Sequence, residues 1–233
     1  MSKTYRGYTL QQVAKTIDHS ILKPNNTPAD IADGCALALK YDVATVCIRP
    51  MDVAQAAKLL AGSDVLVATV IGFPHGTTTT ATKVFEAVDA IKNGAVELDL
   101  VLNISWMVSG EYDLVRDDIA AVVKASHAEL PSVSIKVILE TAYLDSDQIV
   151  IACRLIEEAG GDYVKTSTGF ATAGATVENV KLMKATVGDR LKVKSSGGIR
   201  TLDQLVDFMD AGVTRSGCSA TEQVLDEFVA KAQ

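Results

Sequence analysis

Short apolar runs rich in β-branched residues alternate with longer amphipathic stretches along the chain. The runs fall at 16–22 (TIDHSIL), 43–48, 65–73, 95–102, 133–140, 162–167, 191–196 and 213–219. Helical periodicity, with apolar residues recurring every three or four positions, marks 28–40, 51–61, 78–93, 112–129, 146–159, 177–187, 202–211 and 220–231. Start signals agree with these assignments. Thr27 precedes Pro28, which is tolerated at a first helical position because that N–H has no intrahelical partner. Thr201-x-x-Gln204 and Ser219-x-x-Glu222 read as capping boxes. Gly62, Gly94, Gly160-Gly161 and Gly212 fall just past helix ends, where a left-handed residue is wanted. Eight strand–helix units imply parallel strands joined by crossover helices, and eight of them close into a barrel. An open doubly wound sheet would place a glycine fingerprint after its first strand, whereas ILKPNNTP follows here. The pattern predicts an α/β protein, a parallel eight-stranded (β/α)8 TIM barrel, as one domain over residues 1–233.

Composition narrows the function classes. With 48% hydrophobic and 22% charged residues, the chain collapses into a core and is not disordered. A net charge of −7 leaves too few lysines and arginines to displace counterions from a nucleic-acid backbone, so bulk nucleic-acid binding is excluded. No uninterrupted apolar run reaches the ~18 residues a membrane span needs. The first fifteen residues hold no apolar stretch of a secretory signal. Cys35, Cys47, Cys153 and Cys218 lie far apart and form no CxxC pair, as expected of reduced thiols in a cytoplasmic protein.

The informative residues interrupt the strands. Asp18, Glu97, Asp99, Lys136, Glu140, Lys165, Lys192 and Lys194 are ionisable, yet parallel barrel strands are buried on both faces. Such groups must be paired, solvated in a cavity or shifted in pKa. Glu97, Lys136 and Lys192, early in their strands, fit either water-exposed strand ends or a buried ionic network. Asp99, Lys165 and Lys194 lie further along, toward the C-terminal ends where such barrels keep their chemistry. Lys165 (DYVKTSTG) and Lys194 (LKVKSSGG) occupy consecutive strands. Neighbouring strands are ~4.8 Å apart, and two close ammonium groups in a cavity disfavour double protonation, with burial acting the same way. One amine is then partly neutral, as an imine-forming nucleophile requires, and Asp99 can relay protons. Both lysines precede small turns, TSTG (166–169) and SSGGIRT (195–201), and SGCS (216–219) leads into the last helix. Glycine amides and a helix N-terminus at that end suit a phosphate group.

The segments IDHSILKPNNT, VIGFPHGTTTTATKVFEA, ELDLVLNISWMVSGEYDLVRDDI, KVILET, GGDYVKTSTGF and VKSSGGIRT, in order from about residue 17 to 219, resemble the deoxyribose-phosphate aldolases. The resemblance implies a class I aldolase that cleaves 2-deoxy-D-ribose 5-phosphate to D-glyceraldehyde 3-phosphate and acetaldehyde. It implies Lys165 as the Schiff-base lysine, Lys194 as the residue that tunes it and assists proton transfer, and Asp99 as proton donor and acceptor. Asp18, Cys47 and Thr168 would lie against substrate, and Gly169, Gly197, Gly198 and Ser219 at its phosphate end. No metal or cofactor is implied, and His19, His75 and His127 carry no metal-ligand spacing. The partners implied are a phosphorylated sugar and acetaldehyde, with neither nucleic acid nor membrane, and a homodimer is compatible with the family. The chain departs from the family pattern at Ala220, where a second serine is usual, at Arg49 in CIRP, at His75 in GFPHG and at Trp106-Met107-Val108 in ISWMVSG. Read on residues alone, a related imine-forming aldolase with a relaxed phosphate requirement, a phosphate-binding isomerase or epimerase, and a sugar-phosphate-binding protein stay open.

Overall fold

The computed structural model describes residues 3–233, so Met1 and Ser2 of the N-terminal reading lie outside the described residues. Eight parallel strands close into a barrel: β1 (Ile17–Ile21), β2 (Thr45–Ile48), β3 (Leu66–Ile71), β4 (Glu97–Val101), β5 (Ser134–Ile138), β6 (Tyr163–Lys165), β7 (Lys192–Ser196) and β8 (Arg215–Cys218). Closure is made by β8 lying beside β1, with Ser216 opposite Ile17 and Gly217 opposite Asp18. The helices are α1 (Leu10–Ala14), α2 (Pro28–Tyr41), α3 (Val53–Leu59), α4 (Thr80–Lys92), α5 (Ile104–Ser109), α6 (Tyr112–Glu129), α7 (Ser146–Glu158), α8 (Val177–Val187), α9 (Leu202–Asp210) and α10 (Thr221–Lys231). The eight expected strands and helices are present. Among the described residues, no helix is long and apolar enough to cross a membrane.

Three short elements escape the periodicity. A hairpin pairs Thr4–Tyr5 with Tyr8–Thr9 across Arg6 and Gly7, both at positive φ, the backbone of a twisted two-residue turn. Helices α1 and α5 have five and six residues, too few to display a stripe. Asn103 caps α5 and left-handed Gly110 ends it, so ISWMVSG is a helical turn instead of plain loop.

The capping signals are real at Thr27, whose partner is Asp30, and at Thr201 with Gln204. They fail at Ser219. Helix α10 starts one residue later, with Ala220 at the cap position and no side-chain cap bond. Ser219 is instead exposed at the barrel mouth.

The apolar core lies between the sheet and the helices. Outward-facing Ile17, Val46, Leu98, Val137, Val164 and Val193 are all fully buried there. The barrel interior is different in kind. Alternate strands contribute inward residues to stacked layers of four, as the register dictates. The lowest holds Thr45, Glu97, Tyr163 and Arg215, the next Asp18, Ala68, Lys136 and Lys194, and the third Cys47, Asp99, Lys165 and Gly217. On one side of this interior, Cys47, Ala68 and Val70 form an apolar cluster.

Candidate active site

Seven charged side chains from six strands meet inside the barrel, and every ion pair joins groups in the same or an adjacent layer. Arg215 spans Asp18 of β1 and Glu97 of β4, with Nη2 donating to Glu97 Oε1 at 2.6 Å. Lys136 bonds Glu97 and lies 3.3 Å from Asp99 Oδ1. Lys194 donates to Asp18 and, at 2.7 Å, to Asp99 Oδ2. Lys165 donates to that same Asp99 oxygen at 2.6 Å. A single carboxylate oxygen thus holds both amines that the strand positions brought to attention. Glu97 and Lys136 realise the buried-network alternative, and Lys192 is an exposed strand end with its ammonium over the Tyr163 ring.

Burial and charge act differently on the two lysines. Lys165 is pushed below its ordinary value, first by burial, with Asp99 opposing and the Lys194 charge reinforcing the fall. Burial acts the same way on Lys194, but Asp18 and Asp99 outweigh it and raise the pKa. Burial would raise Asp99, yet Lys165, Lys194 and Lys136 hold it well below the carboxylate range. The same balance, with Lys194 the largest opposing charge, keeps Asp18 ionised. Desolvation therefore leads for Lys165, and its like-charged neighbour is the smaller effect.

Above the network a cavity of about 760 Å³ opens at the C-terminal ends of the strands, and Lys165 is the member of the ion network that lines it. Gly217, in the same layer, also lines the cavity. A Cβ there would meet the Ser196 Cβ at 3.0 Å. Thr168, Gly169, Gly197, Gly198 and Ser219 line the wall together with Arg200, a cation the motif reading left unassigned. The loops after β6 and β7 touch backbone to backbone: Ala175 N donates to the carbonyls of Ser196 and Gly197. A Cβ on Gly174 would lie 2.2 Å from Gly197 O, so only glycine fits there.

Two expected substrate contacts are placed elsewhere. Asp18 has no exposed surface and does not line the cavity; its oxygens are committed to Lys194 and Arg215 one layer below. Cys47 is also buried, with Sγ 3.9 Å from Asp99 Oδ2, and burial pushes its thiol up to about 12. It is a packing neighbour of the carboxylate with no thiolate character. Thr168 lines the cavity, but its hydroxyl donates to Glu140 and accepts from Phe170 N, which holds the loop after β6 in shape. His19 bonds Thr221 in the barrel wall, His127 approaches the Val133 carbonyl, and His75 is exposed, so the histidines stay apart.

Sequence reasoning missed Arg215, Gly217 and the part played by Glu140. Arg215 and Gly217 lie inside the 213–219 run, where the charge rule that singled out the lysines applies equally to Arg215. Glu140 sits at positive φ (56°), buried, and accepts bonds from both the amide and hydroxyl of Thr168. A left-handed glutamate is a strained position that only tertiary contacts hold.

A DeoC/LacD family aldolase model matches residues 12–220. This chain belongs to that family. Aldolases are lyases that make or break carbon–carbon bonds. A deoxyribose-phosphate aldolase from Caldanaerobacter subterraneus subsp. tengcongensis is 49% identical over 222 residues, covering 94% of this chain and 95% of the relative. Deoxyribose-phosphate aldolase 1 from Staphylococcus aureus is 52% identical over 211 residues, 91% of this chain and 94% of its own. The tetrameric deoxyribose phosphate aldolase from Aeropyrum pernix superposes with a TM-score of 0.89 at 29% identity, covering 95% of this chain and 93% of that one.

Proposed function

We propose that this aldolase reversibly cleaves 2-deoxy-D-ribose 5-phosphate to D-glyceraldehyde 3-phosphate and acetaldehyde through an imine on Lys165. The observation that carries the reading is the placement of Lys165 at the cavity floor, sharing the Asp99 Oδ2 atom with Lys194. An amine that is buried and shares its only carboxylate favours the neutral form needed for attack on a carbonyl.

The neutral Lys165 nitrogen adds to the C1 aldehyde of the open-chain sugar, and loss of water from the carbinolamine leaves a protonated imine. That cation draws the C2–C3 bonding electrons as the C3 hydroxyl gives up its proton. D-glyceraldehyde 3-phosphate departs and an enamine of acetaldehyde remains. Protonation at C2 and hydrolysis release acetaldehyde and restore the amine. Asp99, ionised at rest, takes up the C3 hydroxyl proton and gives it back at the enamine carbon, and with Lys194 it moves protons to and from the reacting nitrogen; Asp18 acts indirectly by anchoring Lys194. At the other end, Gly169, Gly197, Gly198, Ser219 and Arg200 bind the phosphate dianion. Ala220 offers no hydroxyl at the start of α10, which favours a looser phosphate requirement as a second reading.

The same proposal has the chain work in the cytoplasm, where its four buried thiols stay reduced, and assemble as a homodimer, which sedimentation at equilibrium tests. Borohydride reduction with acetaldehyde, followed by peptide mass spectrometry, is expected to leave an ethyl group on Lys165; wild-type protein with no adduct there defeats the proposal. Turnover of deoxyribose beside its 5-phosphate measures the phosphate requirement, and equal kcat/KM would establish the looser reading.

A further inference from the structure

We propose that Arg215, on the barrel floor, is a positioning residue that governs the charge of Lys165 from two layers below, through Asp18 and Glu97. The inference rests on the reading of Lys165 as the reactive amine. The seven groups linked by ion pairs comprise four cations, Arg215, Lys136, Lys165 and Lys194, and three carboxylates, Glu97, Asp18 and Asp99. One cation is in excess in a region largely shielded from water, where an unbalanced charge is expensive. Arginine cannot shed its proton. Lys136 and Lys194 each touch two carboxylates, whereas Lys165 touches one and shares it. Lys165 is therefore the group that yields, and the permanent charge of Arg215 creates the surplus that makes it yield.

The other groups facing Lys165 do not replace this effect. Asp99 approaches from β4 and Lys194 from β7, both already counted, and the neutral Cys47 thiol comes from β2. Glu140, beyond β5, lies near enough to feel the Lys165 charge, but it joins no ion pair and its carboxylate is bound by Thr168. Tyr163 lies on the same strand beneath Lys165. A purely structural account is that Arg215 plugs the barrel bottom, where such residues serve stability. That account predicts lost stability and an unmoved titration.

Charge balance separates the two. The readout is acetylation of Lys165 by acetic anhydride as a function of pH, followed by peptide mass spectrometry, which needs no aldolase turnover. Arg215→Met leaves three cations for three carboxylates, so Lys165 retains its proton and its labelling midpoint moves to higher pH by about one unit. Glu97→Gln widens the surplus and moves the midpoint to lower pH. The double variant restores the balance and returns the midpoint to the wild-type value, and Arg215→Lys, which keeps the charge, leaves it in place. An unmoved midpoint in Arg215→Met, or a double variant displaced as far as Arg215→Met, overturns the inference. If Arg215→Met does not fold, Glu97→Gln alone decides, since no shift or an alkaline shift also overturns it. A wild-type protein that titrates as described but takes no adduct from acetaldehyde refutes the imine reading and leaves the charge coupling standing.

Discussion

Two buried lysine–aspartate pairs in this barrel have the same bond length and opposite uses. Lys83 on α4 donates to Asp118 on α6 at 2.6 Å and to the Val101 carbonyl at 3.0 Å, with no exposed surface. Lys165 donates to Asp99 at 2.6 Å inside the barrel. Burial, the leading cause in both, pushes both amines below the ordinary lysine value. The difference lies in what else each pair touches. Asp118 serves one cation and the Thr80 hydroxyl, so that pair is balanced and closed. Asp99 serves three lysines, and the one that has no second carboxylate faces a cavity. A buried Lys–Asp contact is thus no mark of chemistry on its own; shared charge and access make it one.

The contrast breaks most sharply when each lysine is removed. Lys165→Met is expected to abolish the acetaldehyde adduct and turnover, because no other cavity-facing amine of the network can replace it. Lys194→Leu comes next. It leaves Asp99 to Lys136 and Lys165, turning the active pair into a copy of the closed one, with Lys165 charged at neutral pH. Turnover is expected to fall by several orders of magnitude and its pH profile to shift to higher pH, with the thermal transition still cooperative; near-normal turnover at neutral pH would remove Lys194 from the mechanism. Lys83→Met should do the reverse. It strands a buried carboxylate and costs about 3–5 kcal/mol in denaturant unfolding, while the folded fraction keeps its turnover within a few-fold.

His19 sharpens the comparison at the smaller end. It is a buried base with no carboxylate partner, held neutral near a pKa of about 4 chiefly by burial. Its folded pKa lies below the unfolded value of 6.5, so the unfolded state binds more protons between the two. Stability from this group is complete above about pH 6.5 and is lost as pH falls toward 4, by up to about 3 kcal/mol. Unfolding of wild type and His19→Gln across pH 4–7 is expected to show the acid-sensitive part only in wild type. Parallel pH dependences would assign the loss to other groups.

Much of this is legible in the sequence. The strand and helix runs, the caps at Thr27 and Thr201, and the glycines after helices are local signals, and they recovered the eight repeating units. The lysines of KTSTG and KSSGG were conspicuous because an ammonium group contradicts a strand buried on both faces. Short elements escaped, since α1, α5 and the N-terminal hairpin are shorter than any period that could reveal them. Ser219 reads as a cap because its spacing to Glu222 matches a box that the backbone does not adopt there. Asp18 and Cys47 lie near the predicted site but beneath or beside it, a matter of height within the barrel that composition does not encode.

The sequence by itself determined the barrel, the inward charges and the glycine turns, because periodicity, burial cost and backbone freedom act within one strand–helix unit. The tertiary structure alone decided which charge meets which. Strand tilt sets the register that stacks Arg215, Asp18, Lys194, Asp99 and Lys165 in successive layers. Only that stacking makes four cations compete for three carboxylates and leaves the surplus with the lysine that faces the cavity.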